Sequence, residues 1–248
     1  MNKTFDFTSI NLIHDKYDGI TIDIDTIPID IKKFENELIS IIENIEGKKL
    51  LWTKLPIEKS DIIPLLTKYD FIFHHCNEKD ITMLKKLTEN SIIPTATNHT
   101  LGVGAVIIEN NKILLIKDKI WKQFKLPGGY IDDKENISHA LQREVFEETG
   151  IKIELNSIVS LGHFYPSQFE KSNLYIVCNA KALSHDINIV DTDEIIEAKW
   201  MSLEEYFECE DIHEYNKNLV KTAIKDRGLK LKELDYFAKS DSKHEYCF

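Results

Sequence analysis

The chain has 248 residues, 42% of them hydrophobic, and a formal net charge of −11 at pH 7, which suits one large domain or two modest ones. This acidity argues against nucleic acid or an anionic membrane as a partner, because both would be repelled at long range. No run approaches the roughly 20 apolar residues of a membrane span, the first residues lack the apolar core of a signal peptide, and the four cysteines form no CxxC pair, so we expect a cytoplasmic protein with reduced thiols.

Residues 1–97 predict a compact α+β domain. Residues 1–17 carry little pattern and indicate a leader or an edge strand, and the alternating run ITIDIDTI that follows them predicts a half-buried strand. Asp30 is placed to cap a helix with an apolar stripe that begins at Phe34. Further strands are expected around Trp52 and over the runs FIFHH and DITMLKKL, with a short helix between the first two.

Residues 98–228 predict a second domain. The run LGVGAVIIENNKILLIKD predicts two strands around an Asn-Asn turn. FKLPGG then leads to a helix from Asn136 to Thr149, with Asn136 as N-cap and Gly150 as the C-terminal stop.

Behind this helix, the runs IKIELNSIVSLGHFYPSQ, NLYIVCNAKAL and EAKWM predict further strands. Ser202 opens a short helix through a capping box, and a last amphipathic helix is expected to end at Gly228. Residues 229–248 are expected to form a peripheral tail.

Three acids of the predicted central helix fall on or beside its apolar face. Apolar residues line one face from Ile137 to Val145, and at 100° per residue Glu144 and Glu148 lie within the same sector, with Glu147 at its edge. Carboxylates near a helix C-terminus repel one another and the helix dipole, so a cation should offset them. Mg²⁺ or Mn²⁺ fits best, because hard ions take oxygen ligands and no Cys/His cluster indicates zinc.

The turn before this helix and an arginine within it extend the pattern. The turn at Gly128 and Gly129 is bare enough to bring a backbone carbonyl to the same ion. Arg143 can reach back to Glu135 and fix the loop against the helix. The alternative, an ordinary charged surface helix, is disfavoured by the inward phase of the acids.

This stretch resembles the Nudix box, G-x5-E-x7-R-E-U-x-E-E-x-G-U with U aliphatic, and every constrained position is met. The resemblance implies an α/β fold, an α/β/α sandwich around a mixed sheet, and Mg²⁺- or Mn²⁺-dependent hydrolysis of a nucleoside diphosphate linked to another group. It also implies that Glu144, Glu147, Glu148 and the Gly128 carbonyl ligate the metal. The matching residues are Gly129, Glu135, Arg143, Glu144, Val145, Glu147, Glu148, Gly150 and Ile151.

The general base is left open by this resemblance. In many Nudix enzymes it is a glutamate on a loop outside the box, and Glu194, six residues before Trp200, occupies the matching place. Asp191, Asp193 and Glu197 are close rivals in the same acidic segment.

The region before the box carries a second resemblance. The motifs W-x-x-x-P, S-x-x-I-P, F-x-F-H-H and P-T-A-T-N-H-x-x-G-V-G-A-V are similar to the pre-Nudix region of the subfamily that includes plant ADP-ribose/NADH pyrophosphatases and the human antisense fibroblast-growth-factor gene product. The resemblance implies an acetyltransferase-like α+β domain and a homodimer. The motifs begin or lie at Trp52, Ser60, Phe71–His75 and Pro94–Val106.

Two observations temper the acetyltransferase likeness. Residues 1–95 contain only Gly19 and Gly47, so they lack the glycine loop that holds the pyrophosphate of acetyl-CoA, and acetyl transfer is not expected. Adjacent His74 and His75 on a strand should point to opposite faces. They therefore indicate packing or a dimer contact and not a shared metal ion.

Substrate choice must come from outside the box. Pro166 lies sixteen residues after Gly150, a spacing that resembles ADP-ribose pyrophosphatases, and His163, Phe164 and Tyr165 offer rings for stacking a base. The array SQPWPFPxS and the zinc cysteines of dedicated NADH pyrophosphatases are absent. ADP-ribose, with NADH beside or behind it, is the expected substrate and AMP the product. The alternatives are a Nudix enzyme for dinucleoside polyphosphates, oxidised nucleotides or capped RNA, and a non-catalytic nucleotide-binding regulator.

Overall fold

A computed structural model describes residues 6–15, 18–225, 228–232 and 245–247. The chain forms two compact units, Met1–Thr97 and Asn98–Phe248. None of the helices in the described ranges is long and apolar enough to cross a membrane.

The first unit is a mixed five-stranded sheet with two helices. Its strand order is β1-β2-β3-β5-β4, with β2 and β3 parallel and the other neighbours antiparallel. A short 3₁₀ segment precedes the second helix. The elements are β1 (Leu12–His14), β2 (Gly19–Ile22), α1 (Ile31–Asn44), β3 (Leu50–Pro56), α2 (Ile63–Lys68), β4 (Ile72–Cys76) and β5 (Asp80–Lys86).

The core of this unit follows the predicted pattern. The Asp30 side chain caps α1 by accepting the N–H of Lys33 at 2.8 Å. Phe34, Leu38 and Ile41 then point from α1 into the core. The edge strand expected within residues 1–17 is β1, and the remainder of that prediction, residues 1–5 and 16–17, lies outside the described ranges.

The prediction that His74 and His75 point to opposite faces was wrong. The pairing of β4 with β5 passes from Phe73 to His75 and skips His74, and this bulge brings the two Nδ1 atoms within 2.6 Å of each other. His74 Nε2 donates to the Pro94 carbonyl at 2.7 Å. In the tautomer that carries its proton on Nε2, His74 accepts at Nδ1 from the Nδ1–H of His75.

The second unit contains a mixed seven-stranded sheet. The path β10-β11-β6-β7-β12 is extended by two short strands, β8 on β7 and β9 on β6, which the sequence pattern did not predict. Only β6 and β11 are parallel neighbours. The elements are β6 (His99–Glu109), β7 (Lys112–Asp118), β8 (Phe124–Lys125), β9 (Gly128–Tyr130), α3 (Ile137–Thr149), β10 (Ile153–Phe164), β11 (Ser172–Ala182), β12 (Ile195–Ser202), α4 (Leu203–Glu208), α5 (Glu214–Lys225), β13 (Leu231–Lys232) and β14 (Tyr246–Cys247).

The sheet has a helix on each face, because the strands between them alternate their side chains. Val103 and Ala105 of β6 pack against α3, whereas Val106 of the same strand packs with Leu219 and Val220 of α5. The β6–β7 connection is the expected turn, with left-handed conformations at both of its asparagines. The α/β/α arrangement implied by the box is thus present.

Candidate active site

Helix α3 begins and ends at the residues that the sequence predicted. Asn136 caps it through a hydrogen bond from the His139 N–H at 3.1 Å. Gly150 ends it in the left-handed region at φ 74°, and a Cβ there would lie 2.4 Å from the Asn188 carbonyl oxygen. The position therefore requires glycine both for its conformation and for the space.

The acids of α3 have the inward orientation that the helical phase predicted. Glu148 is only 4% exposed, the Glu144 side chain is 16% exposed, and the Glu147 side chain, at the edge of the apolar sector, is 42% exposed. These three values rank the side chains in the order that their angles on the helix require.

Arg143 is the centre of the polar contacts in this region. Its Nε and one terminal nitrogen hold both carboxylate oxygens of Glu135 at 3.0 and 2.8 Å, which confirms the predicted pair. The other terminal nitrogen donates to Glu144 at 2.8 Å and to Glu147 at 3.2 Å. A fifth contact reaches the Tyr130 carbonyl at 3.0 Å. The box loop is thereby fixed against the helix.

Glu148 lies in a less polar environment than its neighbours. Burial raises its pKa to about 8, with the charges of Glu144 and Glu194 adding to the increase. The Gly128 N–H, which donates to Glu148 at 2.7 Å, and the ammonium of Lys125 oppose that rise in pKa. Burial also raises the pKa of Glu144, against the opposing effect of the neighbouring guanidinium.

The loop before β12 places Glu194 within electrostatic range of Glu144 and Glu148. The N–H groups of Val190 and Asp191 donate to the Glu147 carbonyl at 3.0 and 2.8 Å, so the loop is docked on the last turn of α3. The Asp191 carboxylate accepts the N–H groups of the next two acids, Asp193 and Glu194, at 3.1 Å each. Asp191 therefore shapes the loop, while Glu194 is exposed and its charge raises the pKa of Glu148.

The predicted metal ligands are brought together in part. Nowhere in the described part of the chain do three His, Cys, Asp or Glu side chains stand ready to hold one ion, and Glu144 and Glu147 both accept hydrogen bonds from Arg143. The donor set nevertheless suits a hard divalent cation, because Glu148 is buried, Glu144 is half-buried and the negative charge of Glu144 adds to the raised pKa of Glu148. Gly129 leaves this space open, because a Cβ there would lie 2.4 Å from the Glu144 carboxylate.

The predicted base-binding segment lies at the end of β10. His163 Nε2 meets His99 Nε2 at 3.1 Å, and the Phe164 ring packs edge-on against Tyr215 with centroids 5.7 Å apart. Tyr165, which precedes Pro166, is 71% exposed. The loop that follows these residues reaches the box through a hydrogen bond of 3.3 Å from Tyr130 to Gln168.

Tyr175 is a residue of this region that the sequence pattern did not identify. Its ring lies on the strand opposite two glycines, and a Cβ at Gly102 or Gly104 would come within 2.5 Å of ring or hydroxyl atoms. Burial raises the pKa of the Tyr175 hydroxyl, and the charges of Glu148 and Glu144 add to that rise. Alternating glycines in a buried strand, which mark a close approach, were the available signal.

Family comparisons assign this fold and site to a class. Residues 98–223 match the NUDIX domain, and residues 10–87 match a second family model described as the Nudix hydrolase domain. The chain therefore belongs to the Nudix hydrolase family.

Its relatives include two plant proteins and one human protein. Nudix hydrolase 8 of Arabidopsis thaliana is 35% identical over 205 residues, 78% of this chain but only 55% of that protein. Nudix hydrolase 2 of the same plant is 35% identical over 212 residues, 80% of this chain and 74% of that protein. Nucleoside diphosphate-linked moiety X motif 6 of Homo sapiens is 34% identical over 209 residues, 79% and 66% of the two chains. The subfamily expected from the pre-Nudix motifs is confirmed.

Proposed function

We propose that this chain is a Mg²⁺- or Mn²⁺-dependent pyrophosphohydrolase that cleaves ADP-ribose, NADH or both and releases AMP. The observation that carries the proposal is the pair of inward acids, Glu144 and Glu148, beside the glycine turn of a complete box, with Glu194 in their field. The name of the human relative, which specifies a nucleoside diphosphate-linked moiety, supports the substrate class.

Each acid has a role in this proposal. Glu144, Glu147, Glu148 and the Gly128 carbonyl would hold the ion. When bound, the ion supplies charge neutralisation on the bridging phosphates and lowers the pKa of a water. Glu194 accepts the proton of the attacking water, because its loop is docked on α3 and its carboxylate is exposed.

The substrate is oriented by the rings at the end of β10. Phe164 is anchored against Tyr215, and the adjacent Tyr165 is exposed and able to stack on an adenine or a nicotinamide. His163 and Pro166 frame these rings. The segment supplies base selection, which the acids of the box do not provide.

The full chain with Mg²⁺ or Mn²⁺ should release AMP from ADP-ribose or NADH, measured by chromatography of the products. The panel includes dinucleoside polyphosphates, oxidised nucleoside triphosphates and capped RNA. Efficient hydrolysis of those compounds without AMP release from ADP-ribose or NADH would reject the substrate assignment. Binding of all nucleotides without turnover would identify a non-catalytic regulator.

A second experiment tests the general base. Glu194→Gln should lower kcat by about 10²- to 10⁴-fold and remove the acidic limb of the pH–rate profile. Glu154→Gln, on the exposed side of β10, is the matched control and should leave kcat unchanged. Full activity of Glu194→Gln would move the role to Asp191, Asp193 or Glu197, and the corresponding amide variants then identify it.

For the first unit, we propose an acetyltransferase-like fold that supports a homodimer and binds no acetyl-CoA. The parallel strands β2 and β3 joined through α1 agree with such a fold. The edge strand β4 exposes about half of Ile72 and Phe73, which suits a contact with a second copy. Light scattering of the full chain measures the assembly, and a monomer would reject the dimer.

A further inference from the structure

The C-terminal segment contacts the first turn of the helix that carries the acids of the box. Glu245 accepts the backbone N–H of Ile137 at 2.5 Å, and its second oxygen accepts the backbone N–H of Ser138 at 3.0 Å. The Ser138 hydroxyl donates to the same oxygen at 2.5 Å. Glu245 lies 108 residues after Ile137 and 107 after Ser138, so this is a tertiary contact and not a local cap.

Glu245 supplies the negative charge that the first turn of α3 lacks. The Asn136 side chain accepts only the third N–H of the helix, that of His139. No acidic residue lies in the first turn of α3, although a negative charge there is stabilised by the helix dipole and by the free N–H groups. The Glu245 carboxylate takes the first two N–H groups, and these bonds are of the strong, charge-assisted type.

The segment that bears Glu245 is itself anchored to the domain. Leu229 exchanges two backbone hydrogen bonds with Ile158 of β10, at 2.8 and 2.9 Å. Strand β13 then pairs antiparallel with β14, which follows Glu245 directly. Burial among residues of α3 raises the pKa of the Cys178 thiol, and the charges of Cys247 and Glu245 add to that rise. The described tail residues therefore contact both β10 and the start of α3, and the sequence pattern of residues 229–248 did not predict these contacts.

We propose that Glu245 is a positioning residue for the metal site, an inference that rests on the proposed function of Glu144 and Glu148. The last turn of α3 is held by the Gly128 N–H and by the loop before β12. Glu245 holds the opposite end, about 16 Å away at 1.5 Å per residue. Together the two anchors fix the tilt of the helix on the sheet.

The distance of Glu144 from the C-terminal anchor of α3 sets the size of the expected change in Mn²⁺ binding and kcat. Glu144 lies one turn, about 6 Å, from the C-terminal anchor at Glu148, so a 1 Å movement of the first turn displaces it by about 0.4 Å. A misplacement of 1 Å can lower the rate of a catalysed reaction about 10²-fold. Loss of the Glu245 contacts should therefore weaken Mn²⁺ binding and lower kcat by about threefold to tenfold, with the KM for the nucleotide unchanged.

The experiment compares Glu245→Ala and Glu245→Gln with Glu154→Ala, an exposed control on β10, in the full chain. Mn²⁺ binding is measured by electron paramagnetic resonance without nucleotide, so its result does not depend on which substrate is cleaved. Glu245→Ala should bind Mn²⁺ about threefold to tenfold more weakly than the control, and Glu245→Gln, which keeps one acceptor oxygen, should lie between them. Mn²⁺ binding and kcat equal to the control, even with a lower Tm, would overturn the proposal.

Hydrogen exchange keeps the proposal testable if Glu245→Ala does not fold. The amide protons of Ile137 and Ser138 should exchange about tenfold faster in Glu245→Gln than in the wild type, while those of the last turn of α3 stay protected. Equal exchange of both amides in the two proteins would show that Glu245 does not hold the helix, and would also overturn the proposal.

Discussion

Replacing Glu148 with glutamine should raise the stability of the metal-free protein and remove most of its turnover. The wild-type carboxyl is 4% exposed and has a pKa raised from 4.5 to about 8. Because the folded pKa lies above the unfolded one, folding favours the protonated form. The favourable contribution of this carboxyl group to the free energy of unfolding is complete below about pH 4.5 and is lost as the pH rises towards 8. The metal-free wild type therefore bears an uncompensated cost at pH 8, which the neutral amide does not.

The pKa shift sets the size of that cost. At 1.36 kcal/mol per unit, a shift from 4.5 to about 8 corresponds to about 5 kcal/mol as an upper bound. The glutamine oxygen can still accept the Gly128 N–H, but the glutamine NH₂ group would be buried without a hydrogen-bond acceptor, which costs about 1–3 kcal/mol. We expect Glu148→Gln to be more stable than the wild type by about 2 kcal/mol at pH 8 in a chelator.

Urea unfolding at pH 8 in EDTA measures this difference, with Glu147→Gln as the control because its side chain is 42% exposed. The control should stay within about 0.5 kcal/mol of the wild type. Added Mg²⁺ should stabilise the wild type and not Glu148→Gln, which should also lose most turnover. A Glu148→Gln protein that is less stable than the wild type in EDTA, or that turns over within a few fold of it, would refute the reasoning.

Two further substitutions test the surroundings of the site. Burial would raise the pKa of Asp118, but hydrogen bonds of 2.6 Å from Lys125 and from the Trp121 N–H lower it on balance. The ionised Asp118 therefore stabilises the folded chain above about pH 4, and this stabilisation is lost as the pH falls through the folded pKa. Asp118→Asn should therefore destabilise the chain by about 1–3 kcal/mol at pH 7 in urea titrations and weaken the fall of stability with acid pH. Unchanged stability at pH 7 would contradict this account. Gly129→Ala places a Cβ 2.4 Å from the Glu144 carboxylate and should lower kcat at least about tenfold with little change in Tm, whereas wild-type kcat would show that this carboxylate has room to move.

The parts of the site that follow from local rules could be predicted from the sequence. The bounds of α3 follow from Asn136 and Gly150, since a capping side chain and a left-handed glycine act on their immediate neighbours. The inward acids follow from the helical period, and the Arg143–Glu135 pair follows from a separation of eight residues across one turn. Each of these contacts lies within one short stretch of chain.

The parts that the sequence did not predict depend on pairing over long distances. Tyr175 enters the site because β11 lies parallel to β6, opposite Gly102 and Gly104, and the strand pattern alone specifies no neighbour. Glu245 contacts α3 next to the pairing of β14 with β13, which joins residues far apart in sequence from the helix. The bulge at His74 shifts one residue out of the alternation, which a period of two cannot anticipate.

The charge arrangement around Arg143 shows how one motif can fix the box loop and also hold the acids of the proposed cation site. A single guanidinium donates hydrogen bonds to the carboxylates of Glu135, Glu144 and Glu147 and lies 3.8 Å from that of Asp132, so the carboxyl groups around it outnumber its one positive charge. Glu135 is held by two hydrogen bonds and has its pKa lowered, first by Arg143, whereas Glu144 and Glu147 share the second terminal nitrogen. Under the proposed function, Glu144 and Glu147 would help to hold a divalent ion that offsets this negative charge, while Glu135 would keep its own two hydrogen bonds to Arg143. The contacts that fix the loop would then be kept, because Glu135 accepts from Nε and one terminal nitrogen, whereas Glu144 and Glu147 accept from the other.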